Sequence, residues 1–257
     1  MCFNDSSHPP IDPISGGALD GAYLELKSAA PDHAPFRAYL ARPANPSGAG
    51  IVILPDVRGL HPYFDELALR FAENGIAALS IDYFGRTAPN DVRGEAFDHQ
   101  PHVAAARWET LSGDITAAVA HLRALDPAPT DIFTTGFCMG GRLASMSATL
   151  DLGLSGVIPF YGWPTGENRN GTPAPADNAD KIECDVLAIY GGADQGIPAE
   201  VRDAYDAALD KAGVNHETIV YPDAPHSFFD RTATEHKAAS EDAWAAVLAF
   251  IANHTEG

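Results

Sequence analysis

The segment Gly136-Phe137-Cys138-Met139-Gly140-Gly141 sets a cysteine between glycines two residues before and two residues after it. A side chain carried on a sharp strand-to-helix corner has crowded backbone neighbours, so positions without a Cβ are needed on either side, and this spacing is the signature of a nucleophile elbow. Upstream, Asp131-Ile132-Phe133-Thr134-Thr135 has the β-branched and aromatic content of a short buried strand. Downstream, Arg142-Leu143-Ala144-Ser145-Met146-Ser147-Ala148 reads as the start of a helix. No serine in the chain has glycines at both positions. Cys138 is therefore the candidate nucleophile, working as a thiolate. A lone cysteine can also serve as a small buried apolar residue, and the glycine frame argues against that role here.

A thiol in such a corner needs a base to take its proton and a carboxylate to orient the base, in the chain order nucleophile, acid, histidine. Asp194 lies in Gly191-Gly192-Ala193-Asp194-Gln195-Gly196-Ile197-Pro198, directly after an apolar run. His226 lies in Pro222-Asp223-Ala224-Pro225-His226-Ser227-Phe228, beyond the last short apolar segment. Both stand at predicted strand exits, where open α/β sheets build their sites. His216 and His236 lack that setting, and Asp223 sits beside the histidine in the same loop. A thiolate is both a good nucleophile and a good leaving group, which suits activated esters and enol lactones better than amides.

The elements that must position these groups follow from hydrophobic patterning. Residues 22–26 and 36–40 alternate apolar and polar, as in a half-exposed antiparallel pair, after a polar, Pro-rich extension over residues 1–20. Residues 51–54, 76–81, 157–160 and 186–190 are continuously apolar, as in strands covered on both faces, and residues 217–221 form a further short strand. Helices are predicted over about 62–74, 102–125, 198–212 and 235–252. The longest carries Trp108, Leu111, Ile115, Val119 and Leu122 near a 3.6-residue period. This alternation predicts one α/β domain over residues 1–257, with a mostly parallel central sheet, an antiparallel N-terminal strand pair and helices on both faces. Residues 166–180, rich in Pro, Asn, Asp and Gly, read as a surface loop at the border of a pocket or as an inert excursion.

Composition narrows the partners. With 35 Asp plus Glu against 16 Lys plus Arg, the formal charge of −19 disfavours nucleic acid and anionic membrane surfaces. Cys2, Cys138 and Cys184 are odd in number and far apart, which is no disulfide framework, and the N-terminus lacks the pattern of a signal peptide. A cytoplasmic protein is expected, as a monomer or small homo-oligomer. The ten histidines are scattered outside any HExxH or paired Cys/His spacing, so no metal is expected.

From about Phe36 to Phe250 the chain resembles the dienelactone hydrolase (carboxymethylenebutenolidase) family. The resemblance rests on Gly136-Phe137-Cys138-Met139-Gly140-Gly141, on Gly191-Gly192-Ala193-Asp194 with Pro198, and on His226-Ser227-Phe228. It implies an α/β-hydrolase fold without a large cap domain, a Cys138/Asp194/His226 triad, and hydrolysis of a small lactone or ester with no cofactor. It also implies an oxyanion hole from the backbone N–H groups of Met139 and Val57. Where the family's type enzyme has a glutamate that holds the resting thiol, this chain has Asp56, one methylene shorter. Of the two arginines that grip a substrate carboxylate in that family, the first matches Arg86; the second position holds Asp230, with Arg231 one residue later. Arg58, beside the oxyanion loop, is the substitute cation expected for an anionic substrate. The alternative is a pocket for neutral esters shaped by aromatics such as Phe84, Tyr161 and Trp163, that is, a general carboxylesterase. The rival from another class is a non-catalytic binding protein of the same fold.

Overall fold

The continuously apolar runs become the middle of one eight-stranded sheet. The computed structural model describes residues 5–89, 93–168 and 170–255, so Cys2 lies outside the described residues. The strands are β1 (Ala18–Lys27), β2 (Pro35–Pro43), β3 (Ala49–Leu54), β4 (Ala77–Ile81), β5 (Asp131–Phe137), β6 (Gly156–Phe160), β7 (Asp185–Gly191) and β8 (His216–Tyr221). Their order across the sheet is β1-β2-β4-β3-β5-β6-β7-β8. β4 through β8 run parallel, while β2 is antiparallel to both β1 and β4. The two alternating strands thus close the N-terminal edge, and the uniformly apolar ones lie inside.

Side chains of β3 show how both faces are covered. Ile51 and Ile53 enter one hydrophobic cluster with Tyr63, Phe64, Leu67 and Phe71 of α1 (Pro62–Glu73) and with Val247 and Ile251 of α6 (Lys237–Asn253). Val52 and Leu54 enter another, with Leu111, Ile115, Val119 and Leu122 of α3 (Trp108–Arg123) and Leu143 of α4 (Met139–Ser147). A strand that feeds opposite clusters from alternate residues is the period-2 geometry of a sheet buried on both sides. α5 (Ala199–Ala212) contributes Tyr205 and Leu209 to the first cluster. No large cap domain interrupts this alternation among the described residues, and no helix among them is long and apolar enough to cross a membrane.

Two expectations need correction. The single helix predicted over 102–125 is two helices, α2 (Gln100–Ala105) and α3, because Ala106 and Arg107 are extended (ψ 148° and 142°). The break has its own partners: the Arg107 guanidinium donates to Ala104 O and Ala106 O, each at 2.7 Å, and Trp108 N–H donates to Asn170 O. The five spaced apolar residues, Trp108 to Leu122, all lie within α3, so their periodicity carried no information about the chain before Trp108. Of the two readings of residues 166–180, the inert excursion is the one corrected: Asn168 borders the Cys138 cavity. Asn170 and Thr172 are buried, and residues Ala176–Lys181 form a 3-10 helix.

The glycine frame of the elbow has a steric cause. A Cβ on Gly136 would stand 2.0 Å from Gly140 O, and one on Gly140 would stand 2.0 Å from Leu54 O and 2.3 Å from Pro55 O. These obstacles are backbone atoms that cannot swing aside. Gly140→Ala should therefore destabilise the fold by about 3 kcal/mol or more. This would lower the thermal midpoint by roughly 6 °C or more in a chain of this size, as read by calorimetry; a midpoint within 2 °C of wild type would refute the steric account.

Candidate active site

Cys138 sits at the corner between β5 and α4 with φ 57° and ψ −113°. Positive φ is uncommon for a residue with a Cβ and costs on the order of 1–3 kcal/mol, so the surroundings must hold it. They do so from both sides: Cys138 N–H donates to Phe160 O at 3.1 Å, and Cys138 O accepts the Arg142 N–H at 3.3 Å. Phe137, the preceding residue, packs against both Phe160 and Phe229, whose rings also touch each other (centroids 4.7, 6.0 and 4.9 Å apart).

The carboxyl ends of four neighbouring strands deliver the rest. Cys138 follows β5, Tyr161 follows β6, Asp194 lies beyond β7, and His226 lies beyond β8. Cys138 and His226 border one cavity of about 220 Å³, together with Val57, Met139, Tyr161 and Trp163. Val103, Arg142, Asn168, Gly196 and Ile197 complete its lining. Sequence reading did not single out these five. Val103 depends on the helix break, whereas Arg142 carried a usable signal, being a cation four residues after Cys138 on a helix with no other charge.

His226 Nδ1 is 2.6 Å from Asp194 Oδ2. A carboxylate accepts only from a protonated Nδ1, which leaves Nε2 as the basic nitrogen. Asp194, not Asp223, makes this bond. Asp194 Oδ1 also accepts the Gly196 N–H at 2.8 Å. Burial pushes the Asp194 carboxyl up, but the bond and charge of His226 outweigh it, and the group titrates below its ordinary range. Tyr161 packs its ring on His226 (centroids 4.9 Å apart) and donates its hydroxyl to Asp230 Oδ2 at 3.0 Å.

Asp56 and the three arginines expected to meet substrate are not among the residues lining the Cys138 cavity. Asp56 is fully buried; its Oδ1 accepts the Arg58 N–H at 2.8 Å and lies 3.8 Å from His61 Nε2. Arg58 is itself buried and donates to Gly94 O and Glu95 O. Arg86 is gripped by Asp32 (2.6 Å) and Asp114 (2.8 Å). Arg231 borders a separate depression of about 490 Å³ between residues 6–12 and 230–241. None of these three lines the Cys138 cavity. Among the described residues, the arginine that does is Arg142.

A mostly parallel sheet with helices on both faces, and a strained elbow residue at the carboxyl end of a central strand, define an α/β-hydrolase. Residues 36–255 match the model of the dienelactone hydrolase family, and the chain belongs to that family. It is 28% identical over 243 residues to a protein of Salmonella typhimurium named "Putative carboxymethylenebutenolidase", covering 93% of this chain and 89% of the relative. A protein of the same name from Saccharolobus solfataricus is 30% identical over 254 residues, covering 86% of this chain and 95% of the relative. The crystal structure of a "Putative Dienelactone Hydrolase" from Klebsiella pneumoniae superposes with a TM-score of 0.74 at 25% identity. That match covers 91% of this chain and 99% of the other. The family hydrolyses esters or lactones, and this chain is a hydrolase of that kind.

Burial raises the Asp56 carboxyl to about 6, against the opposing pull of the Arg58 N–H. A folded-state value above the unfolded one means that the folded protein holds this proton more tightly. Its contribution to stability is therefore full below about pH 4 and declines as pH rises to about 6. Asp56→Asn keeps an acceptor for the Arg58 N–H and cannot ionise. Relative to wild type it should gain nothing at pH 4 and on the order of 2–3 kcal/mol by pH 7, measured by urea unfolding at both values; a difference independent of pH would contradict the assignment.

Proposed function

We propose that this chain is a thiol hydrolase that cleaves a small lactone or ester through Cys138, His226 and Asp194. The observation that carries the reading is that Cys138, in a strained elbow, shares a cavity with a histidine whose Nδ1 is bonded to a buried carboxylate. In this reaction His226 Nε2 takes the proton from Sγ, and the thiolate attacks the substrate carbonyl carbon. The oxyanion is received by the N–H groups of Val57 and Met139; Met139 is the first residue of α4, whose N–H has no partner within the helix. Collapse of the intermediate expels the alkoxide or enolate, which takes the proton from His226. Water then attacks the thioester with His226 as base, releasing the acid and restoring the thiol.

A second reading, preference for neutral esters, is favoured by the arginine placement. Arg58 and Arg86 are spent on internal partners, Arg231 lies at another depression, and the cavity wall is largely Val57, Val103, Met139, Tyr161, Trp163 and Ile197. Among the described residues, no cation there has a donor to spare for a carboxylate. Dienelactone and p-nitrophenyl acetate separate the two readings. Cys138→Ala should lower turnover of the true substrate class at least about 10³-fold and Asp194→Asn on the order of 10⁴-fold, by initial rates at equal folded concentration. Turnover of the neutral ester alone would select the carboxylesterase reading. Undiminished turnover in Cys138→Ala would sink the thiol mechanism.

A further inference from the structure

Arg142 is among the largest fully buried side chains, and its guanidinium is surrounded by backbone. Nε donates to Pro173 O (3.1 Å). One terminal nitrogen donates to Trp163 O and Thr165 O (3.0 Å each), and the other to Gly166 O (2.6 Å) and Thr172 O (2.8 Å). A guanidinium has five N–H groups, and all five are used. Among the described residues its acceptors are carbonyls rather than carboxylates. Burial accordingly pulls its pKa down to about 10, with Asp177 acting in the opposite direction through space. Removing a cation from water without a carboxylate partner is costly, and five charge-assisted hydrogen bonds offset it only if the loop keeps one conformation.

That loop is a wall of the Cys138 cavity. Trp163 and Asn168 line it, and Arg142 borders the same space. The arginine's own N–H holds the Cys138 carbonyl, so one residue fastens the elbow with its backbone and the facing wall with its side chain. We propose that Arg142 is a positioning residue that fixes the wall carrying Trp163, Asn168 and Thr172 in register with Cys138 and so sets the size of the group the enzyme accepts. It touches substrate through that wall and not as a carboxylate-binding cation. Lysine, with three rotatable donors on a single nitrogen, cannot reproduce the five-way planar fork.

The proposal rests on the cavity being the active site, and the test separates the two. Arg142→Lys is assayed on p-nitrophenyl acetate and butyrate. In parallel, alkylation of Cys138 by iodoacetamide and by the bulkier N-phenylmaleimide is followed on the Cys138 peptide by mass spectrometry, which needs no turnover. In Arg142→Lys the butyrate-to-acetate ratio of kcat/KM should change about tenfold, mainly through KM. The maleimide-to-iodoacetamide rate ratio should shift by a similar factor, while iodoacetamide alone reacts within about threefold of wild type. Asn170→Ala supplies a second variant, since Asn170 Oδ1 holds the Thr172 N–H and hydroxyl and lies off α4; it should shift the same ratios in the same direction. If neither ratio moves in a folded variant, or if iodoacetamide reactivity collapses together with kcat, the role in selectivity is overturned. Wild-type protein without ester turnover but with intact reagent selectivity would overturn the hydrolase reading and leave Arg142's role to the alkylation ratios alone.

Discussion

The site depends on how closely α4 approaches the sheet. Gly140 lies against the carbonyls of Leu54 and Pro55 at the end of β3, and a Cβ on Gly141 would stand 2.4 Å from Phe160 O at the end of β6. The helix therefore begins wedged between the ends of the two strands that flank β5. This wedge leaves the residue at the corner no relaxed conformation, which is why Cys138 has positive φ. The same approach brings the first turn of α4 beside the loop that carries Val57, so one contact shapes the Cys138 corner and both candidate oxyanion donors.

Buried charge braces the loops on the β3 and β4 side. Asp82, at the exit of β4, accepts the Leu60 N–H at 3.0 Å and the Phe84 N–H at 3.3 Å, and pairs with Arg93 at 2.7 Å. A carboxylate so satisfied can sit 2% exposed without raising a large desolvation cost. It ties the 56–60 loop to the neighbouring strand exit. Arg58 adds its bonds to Gly94 and Glu95 on the other side of that loop. The arginines near the site thus act mainly as internal cross-links, and the large negative net charge of the chain does not imply a shortage of cations in its interior.

What was legible in the sequence was whatever short-range rules fix. The Gly136/Gly140 frame, the all-apolar strands and the Asp194 and His226 strand exits depend on sterics and burial within a few residues, and the sheet lies where those patterns put it. The arginines were not legible in this way. Arg86 and Arg58 stand at suitable sequence positions, but their partners Asp32, Asp114, Gly94 and Glu95 come from distant segments. Nothing in the local pattern around Arg142 names the five carbonyls, 21 to 31 residues downstream, that surround it. The break between α2 and α3 was hidden for the same reason: its anchor, Asn170 O, belongs to that remote wall.

The residues at the ends of β5, β6, β7 and β8 follow the left-to-right order of the sheet. Neighbouring strands are spaced by about 4.8 Å, so the sheet acts as a ruler whose ticks are fixed by backbone hydrogen bonding and not by side chains. Each tick carries one separable part: thiol, aromatic rest, carboxylate, imidazole. A change in the length or composition of one connecting loop can therefore retool one part while the spacing among the other three is preserved. A scaffold of this kind diversifies by editing its fittings singly.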